Sequence, residues 1–237
     1  MNPVVYARTA GLAYLVIFVC AIGANFGVLS GLAVPGDAQA TLANIVSSET
    51  AFRAAIAALF VVLFADLVVA WALFMLFRPL SPGLTGLAMV FRVAYTIAHI
   101  PMVVALVLAL RAATSQTAAA ADAASSAYQY LVIHNVGFTY TLLFFGVHLI
   151  LLGVLALRTR GLPAILAVLV AIAGLGYLAD GFGVLLLPDL FAATPMLGLF
   201  IVIAPALLGE GLLTLYLLIR GVDARRWDAQ RDGRSEP

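Results

Sequence analysis

Six long runs of apolar residues constrain this chain more than any other feature. A helix needs about 20 apolar residues to cross a bilayer, and each run is that long or longer. Short segments rich in Pro, Gly and Arg separate the runs, as at 78–83 and 158–163. The predicted spans cover approximately 9–34, 51–77, 84–110, 128–157, 162–187 and 195–219.

The composition excludes most soluble classes of protein. Hydrophobic residues make up 65% of the chain and charged residues 10%, whereas a soluble domain carries about 25% charged residues. A soluble enzyme, a nucleic-acid binder and a disordered chain are therefore excluded. We predict an all-α fold, a polytopic transmembrane helical bundle whose main partner is the lipid bilayer.

The arginines predict an orientation. Two of them, Arg53 and Arg111, lie at one set of span ends. By the positive-inside rule, the richer set of ends is cytoplasmic, so both termini are predicted in the cytoplasm and the chain in the cytoplasmic (inner) membrane. The arginines of the richer set are Arg8, Arg78, Arg158, Arg160, Arg220, Arg225 and Arg226.

Outside the spans, two segments carry predictions. Asp37 is a suitable N-cap for a short interfacial helix over about 38–48. The transmembrane domain is predicted to occupy 1–221, and the remaining 222–237 is predicted to be a short cytoplasmic tail. We expect this tail to be disordered, because it mixes Arg and Asp with few apolar residues.

The informative positions are ionisable residues within the spans. A charge at a helix centre costs roughly 2.5–3.5 kcal/mol on insertion. Counted from the cytoplasmic ends at about 1.5 Å per residue, four such residues lie at similar depth. They could bind a ligand or relay protons; alternatively, they form a structural ion pair that fixes helix register. We name Asp66, Arg92, His148 and Glu210 the inner set.

His134 and Asp180 lie nearer the opposite side and are further candidates to bind a ligand or relay protons; we name them the outer pair. With His99 they are candidate metal ligands, and His99 with His134 could hold one haem. The alternatives are that His99 is a satisfied core histidine and that the Asp180 carboxylate satisfies backbone amide groups freed at Gly181–Gly183. No cofactor is predicted from a motif, so haem or a transition metal stays an alternative only.

Two patterns of small residues in the spans each have two possible interpretations. Gly23, Gly27 and Gly31 form overlapping GxxxG steps, which serve either a homodimer face or packing within the bundle. The segments 10–15 (AGLAYL) and 173–178 (AGLGYL) are nearly identical. This echo indicates either a duplicated helical hairpin or a chance match among common residues.

No catalytic motif assigns a reaction. The chain lacks HExxH, Gly-x-Ser-x-Gly and a P-loop. Catalytic residues are therefore unassigned, and the sequence argues against an enzyme more than for one.

Several segments resemble one known family. They are 6–15 (YARTAGLAYL), 34–41 (VPGDAQAT) and 176–180 (GYLAD). The chain resembles a bacterial and archaeal family of integral membrane proteins, known only as a domain of unknown function. The resemblance extends to the inner set and His134 but not to His99. It implies a multi-pass helical bundle and no particular activity.

Three functions remain open. A small transporter or proton-linked carrier predicts a water-filled cavity that reaches the inner set. A membrane-embedded metal- or haem-binding enzyme or redox protein predicts a bound metal or chromophore. A non-catalytic sensor or assembly protein predicts a dry interior in which every charge is paired.

Overall fold

The computed structural model describes residues 2–115, 119–159, 162–194 and 196–233. Within these ranges the chain is all-α, without a strand, and six helices are long and apolar enough to cross a membrane. The predicted six-span, all-α fold is confirmed, whereas the cytoplasmic position of the termini stays a prediction. The spans are Pro3–Gly31, Glu49–Phe77, Pro82–Ala113, Ala120–Thr159, Ala164–Leu186 and Phe200–Ile219.

Among the described residues, seven α-helices precede the sixth span, and their bounds are α1 (Pro3–Asn25), α2 (Ala38–Ser47), α3 (Glu49–Phe77), α4 (Pro82–Ala113), α5 (Ala120–Thr159), α6 (Ala164–Leu186) and α7 (Pro188–Ala193). The sixth span is irregular. It begins in a π-helical turn, Leu199–Ile203, and contains a second one, Leu207–Gly211. The last helix that the structure describes is Ala224–Arg231, and we name it the C-terminal helix.

The short helix α2 forms where the sequence places one. The Asp37 side chain accepts a hydrogen bond from the Ala40 backbone N–H at 2.9 Å, which satisfies a donor that the first helical turn leaves free. Ile45 is buried on one face and Val46 is exposed. Its location at the membrane surface stays a prediction.

The expectation of a disordered tail was wrong for residues 224–231, whereas residues 234–237 lie outside the described part of the chain. The C-terminal helix starts at the N-cap Asp223, and the Trp227 side chain is only 2% exposed. Its indole N–H donates to the backbone carbonyl of Leu76 at 3.0 Å, near the end of α3, where carbonyls lack helical partners. One aromatic anchor therefore orders a segment whose charges alone predict disorder.

The chain divides into two compact units. Unit 1 comprises Met1–Leu15, Asp66–Tyr95 and Thr139–Pro237, and unit 2 comprises Val16–Ala65 and Thr96–Phe138. Unit 1 contains the inner set and Asp180, and unit 2 contains His99 and His134. The apolar core of unit 2 includes Phe52, Leu106 and Leu131.

In unit 1, glycines bring α6 against its neighbours. A Cβ atom on Gly174 would lie 2.5 Å from the carbonyl oxygen of Gly146 in α5, so only glycine allows this approach. In the sixth span, a Cβ atom on Gly209 would lie 2.6 Å from the carbonyl oxygen of Leu169 in α6. These close contacts fix the α6 backbone beside the sixth span, next to Glu210.

Candidate functional site

Arg92 and Asp66 form a buried ion pair in unit 1. Their side chains are 1% and 2% exposed, and Arg92 Nη2 lies 2.5 Å from Asp66 Oδ1. Arg92 Nε also donates to the backbone carbonyl of Asp66 at 3.4 Å. The guanidinium is thus held to both the side chain and the backbone of one residue on α3.

Aromatic residues enclose the same guanidinium. Arg92 Nη1 donates to the Tyr14 hydroxyl at 2.8 Å. Arg92 Cζ lies 4.8 Å from the centre of the Tyr14 ring and 5.3 Å from that of the Phe145 ring. Cation–π attraction strengthens when water is absent, so these rings stabilise the cation inside the membrane.

His148 must be neutral in this arrangement. Its Nε2 lies 3.2 Å from Arg92 Nη1, and its Nδ1 lies 2.8 Å from the backbone carbonyl of Ala88. An arginine can only donate and a carbonyl can only accept. Nε2 is therefore the acceptor, and Nδ1 carries the hydrogen that His148 donates to Ala88.

Glu210 lies close by, in the second π-helical turn of the sixth span. The Tyr177 hydroxyl donates to Glu210 Oε1 at 2.9 Å, and Glu210 is 6% exposed. The Phe145 ring packs against Tyr177 with centroids 5.5 Å apart. Phe145 thus contacts both Arg92 and the partner of Glu210. Such π-helical turns are frequent at functional sites.

The charges of this site do not balance if every acid is ionised. Among the described residues, Asp66 and Glu210 are the buried acids and Arg92 is the one buried arginine. Asp66 Oδ1 is paired, whereas Asp66 Oδ2 is buried without a hydrogen-bond partner in the described part of the chain. The site therefore holds one carboxyl group more than its cation neutralises.

A small cavity borders His148. Its volume is about 10 Å³, and Thr85, Met89 and Leu152 also line it. That volume is close to what one water molecule needs. Of the inner set, only His148 lines this cavity, so it is not the extended water-filled path that a carrier predicts.

In unit 2, His99 and His134 come together on α4 and α5. Their ring centroids are 6.5 Å apart, and both rings pack against Phe138. His134 Nδ1 donates to the backbone carbonyl of Met102 at 2.9 Å. The two histidines predicted as ligands are therefore neighbours.

Asp180 belongs to unit 1 and lies beside Gly198, where a Cβ atom would be 3.9 Å from Asp180 Oδ1. Across the ranges that the structure describes, no group of three His, Cys, Asp or Glu side chains could hold a metal ion. Metal or haem binding by His99, His134 and Asp180 stays a prediction.

Three residues that were not predicted from the sequence also shape the site: Tyr14, Tyr177 and Phe145. All three are aromatic and hence ordinary in an apolar span. A signal existed for the tyrosines, because each occupies the fifth position of the echoed segments 10–15 and 173–178.

The fold and the site define an α-helical, multi-pass membrane protein with ionisable residues buried in its spans. Residues 9–221 match the family described as a domain of unknown function, DUF4386. The chain belongs to this family, and the resemblance that its sequence predicts is confirmed.

One relative carries no assigned activity. It is an uncharacterized protein of Archaeoglobus fulgidus, 30% identical over 130 residues. The match covers 53% of this chain and 64% of the relative, so the chain spans less than two thirds of that protein's length. No solved structure matches the chain.

Proposed function

We propose that this protein is a small proton-linked membrane carrier, and that the inner set holds its exchangeable proton. The observation that carries the proposal is the charge balance of unit 1, in which two buried acids, Asp66 and Glu210, share one buried arginine. Neither the six apolar helices nor the family assigns an activity.

The hydrogen bonds indicate where the proton resides. Asp66 accepts from Arg92 and is the ionised partner of that pair. His148 is neutral through its two contacts. An ionised Glu210 would leave a net negative charge buried in a low-dielectric site, which is costly. Glu210 therefore carries the proton, with Tyr177 donating to Oε1 and the proton itself on Oε2.

One feature favours proton uptake and release by the inner set over a purely structural role for its charges. A sensor or assembly protein with structural charges predicts a fully paired interior. Asp66 Oδ2 instead lacks a hydrogen-bond partner among the described residues. A buried acceptor without a partner is costly in a static structure but is what a proton-accepting group requires.

Proton movement across a vesicle membrane tests the proposal. We would reconstitute the protein in liposomes that contain a pH-sensitive dye and drive protons with a valinomycin-induced potassium potential. We expect the wild type to acidify the interior faster than protein-free liposomes, and Glu210→Gln to remove most of the difference. Glu49→Gln is the matched control, because Glu49 is exposed and paired with Arg53.

Two outcomes would contradict the proposal. The first is a wild-type rate equal to that of protein-free liposomes. The second is a Glu210→Gln rate equal to the wild-type rate, which would place the proton path away from the inner set.

A second candidate, a metal-binding redox protein, has one supporting observation. His134 donates its Nδ1 hydrogen to the Met102 carbonyl, which is the arrangement that orients a histidine for ligation through Nε2. A stoichiometric amount of iron, zinc or copper in the purified protein, lost in His134→Ala, would support this candidate. A metal-free protein would remove it.

A further inference from the structure

The two echoed segments occupy equivalent places in the fold. Residues 10–15 and 173–178 share five of six residues and differ only at Ala13 and Gly176. The first segment lies in α1 and the second in α6, and both belong to unit 1. Small and apolar residues are common in membrane spans, so the sequence match alone does not distinguish a duplication from a chance match. The contacts made at each position do distinguish the two.

The glycine at the second position makes the same kind of contact in both segments. A Cβ atom on Gly11 would lie 2.5 Å from the backbone nitrogen of Leu218 in the sixth span. A Cβ atom on Gly174 would lie 2.5 Å from the backbone oxygen of Gly146 in α5. Each glycine thus seats its helix directly on the backbone of another helix.

The tyrosine at the fifth position bonds to a member of the inner set in both segments, as acceptor in the first and as donor in the second. The Tyr14 hydroxyl bonds to Arg92 at 2.8 Å, and the Tyr177 hydroxyl bonds to Glu210 at 2.9 Å. Each tyrosine lies one helical turn after its contact glycine and bonds to a buried ionisable side chain from a different helix. A chance match of letters predicts neither shared role.

The elements that follow each segment correspond as well. After α1 come the short helix α2 and the span α3, which carries Asp66. After α6 come the short helix α7 and the sixth span, which carries Glu210. In both halves a helix with the tyrosine is thus followed by a short helix and a span with a buried acid.

We propose that the chain contains a duplicated helical hairpin in which Asp66 and Glu210 are equivalent carboxyl groups. One proton moves between the two groups, and the group that is ionised pairs with Arg92. In the arrangement described here Arg92 pairs with Asp66. In the second arrangement the proton leaves Glu210 Oε2 and binds Asp66 Oδ2, and Arg92 pairs with the Glu210 carboxylate. One cation, one anion and one neutral acid are present in both, so the buried charge does not change.

Two observations support the exchange. Asp66 Oδ2 is buried without a partner in the described residues and is therefore available to accept the proton. The Phe145 ring also contacts both Arg92 and Tyr177, and Tyr177 is the hydrogen-bond partner of Glu210, so both acids lie around the same aromatic ring. This inference rests on one part of the proposed function, namely that the inner set holds one proton. It does not require net transport of protons across the membrane.

Infrared spectroscopy of purified variants tests the exchange. A buried protonated carboxyl group has a C=O band that shifts in D₂O and is absent from carboxylates. We expect this band in the wild type and its loss in Glu210→Gln. In Asp66→Asn, Glu210 should ionise to neutralise Arg92, so that the band also disappears although Glu210 is intact. Glu49→Gln, at an exposed acid, should leave the band unchanged.

Stability provides the second readout. Because either acid can serve Arg92, each single variant should fold, whereas Asp66→Asn combined with Glu210→Gln should lose the cooperative melt, since it removes both acids that can neutralise the Arg92 cation. An Asp66→Asn protein that retains the band, or that does not fold, overturns the exchange. Absence of vesicle proton flux with the expected bands would overturn the proposed transport but leave the exchange intact.

Discussion

At the residue scale, Arg92 is the cation on which the site depends. It binds Asp66, Tyr14 and His148 at once. Replacing Arg92 with Gln leaves the Asp66 carboxylate buried and unpaired, and breaking a buried pair in this way costs about 3–5 kcal/mol. We predict a large loss of unfolding free energy for Arg92→Gln, measured by denaturant titration in detergent.

The double variant Arg92→Gln with Asp66→Asn is the control for that experiment. Removal of both charges should recover much of the lost stability, because neither residue then needs a charged partner. An Arg92→Gln protein that expresses and melts as the wild type does would refute the ion pair.

Tyr177 provides a second prediction at this scale. Tyr177→Phe removes the hydroxyl that donates to Glu210 and keeps the ring against Phe145. We expect a loss of about 0.5–1.5 kcal/mol in unfolding free energy, the usual net contribution of one hydrogen bond. Tyr6→Phe is the matched control, since its ring packs edge-on against Trp71, and it should change the stability less than Tyr177→Phe.

At the scale of elements, the α5–α6 contact depends on glycine. Gly174→Ala places a methyl group 2.5 Å from the Gly146 carbonyl oxygen. Overpacking of this kind costs about 1–3 kcal/mol, and we predict a lower melting temperature for this variant. A melting temperature equal to that of the wild type would show that these helices do not pack as described.

Gly23→Ala is the contrasting substitution, because nothing lies within 4 Å of a Cβ atom there. It should leave the melting temperature of the monomer unchanged or raise it. If Gly23, Gly27 and Gly31 form a homodimer face, as the sequence predicts, the same substitution should weaken the dimer in analytical ultracentrifugation. A dimer unaffected by it would remove this face from consideration.

The C-terminal helix is held by Trp227, and Gln230 also donates to the Arg158 carbonyl at 2.9 Å. Trp227→Ala removes the buried ring and the hydrogen bond to Leu76. Trypsin needs locally unfolded backbone to cleave after the arginines of this helix, so we predict much faster cleavage there in Trp227→Ala. Trp71→Ala, at an exposed position, should leave the rate unchanged; equal rates in both variants would contradict the anchoring.

At the scale of the whole molecule, hydropathy was enough to predict six spans and the all-α fold, because a bilayer forces long apolar helices. Depth counting selected Asp66, Arg92 and His148, and Arg92 contacts both of the other two in unit 1. It could not select Tyr14 and Tyr177, since a tyrosine carries no charge that marks it in an apolar span. Nor could charge counting predict that the C-terminal helix is ordered, because the buried ring of Trp227 anchors a segment that is otherwise polar.

The central claim is that one proton is held by two acids inside the membrane domain. The most direct measurement is the infrared carboxyl band of purified wild type beside that of Glu210→Gln, each in H₂O and D₂O. The account predicts a protonated carboxyl band in the wild type that shifts in D₂O and is absent from Glu210→Gln. A wild type without this band, or a band that persists in Glu210→Gln, would contradict it.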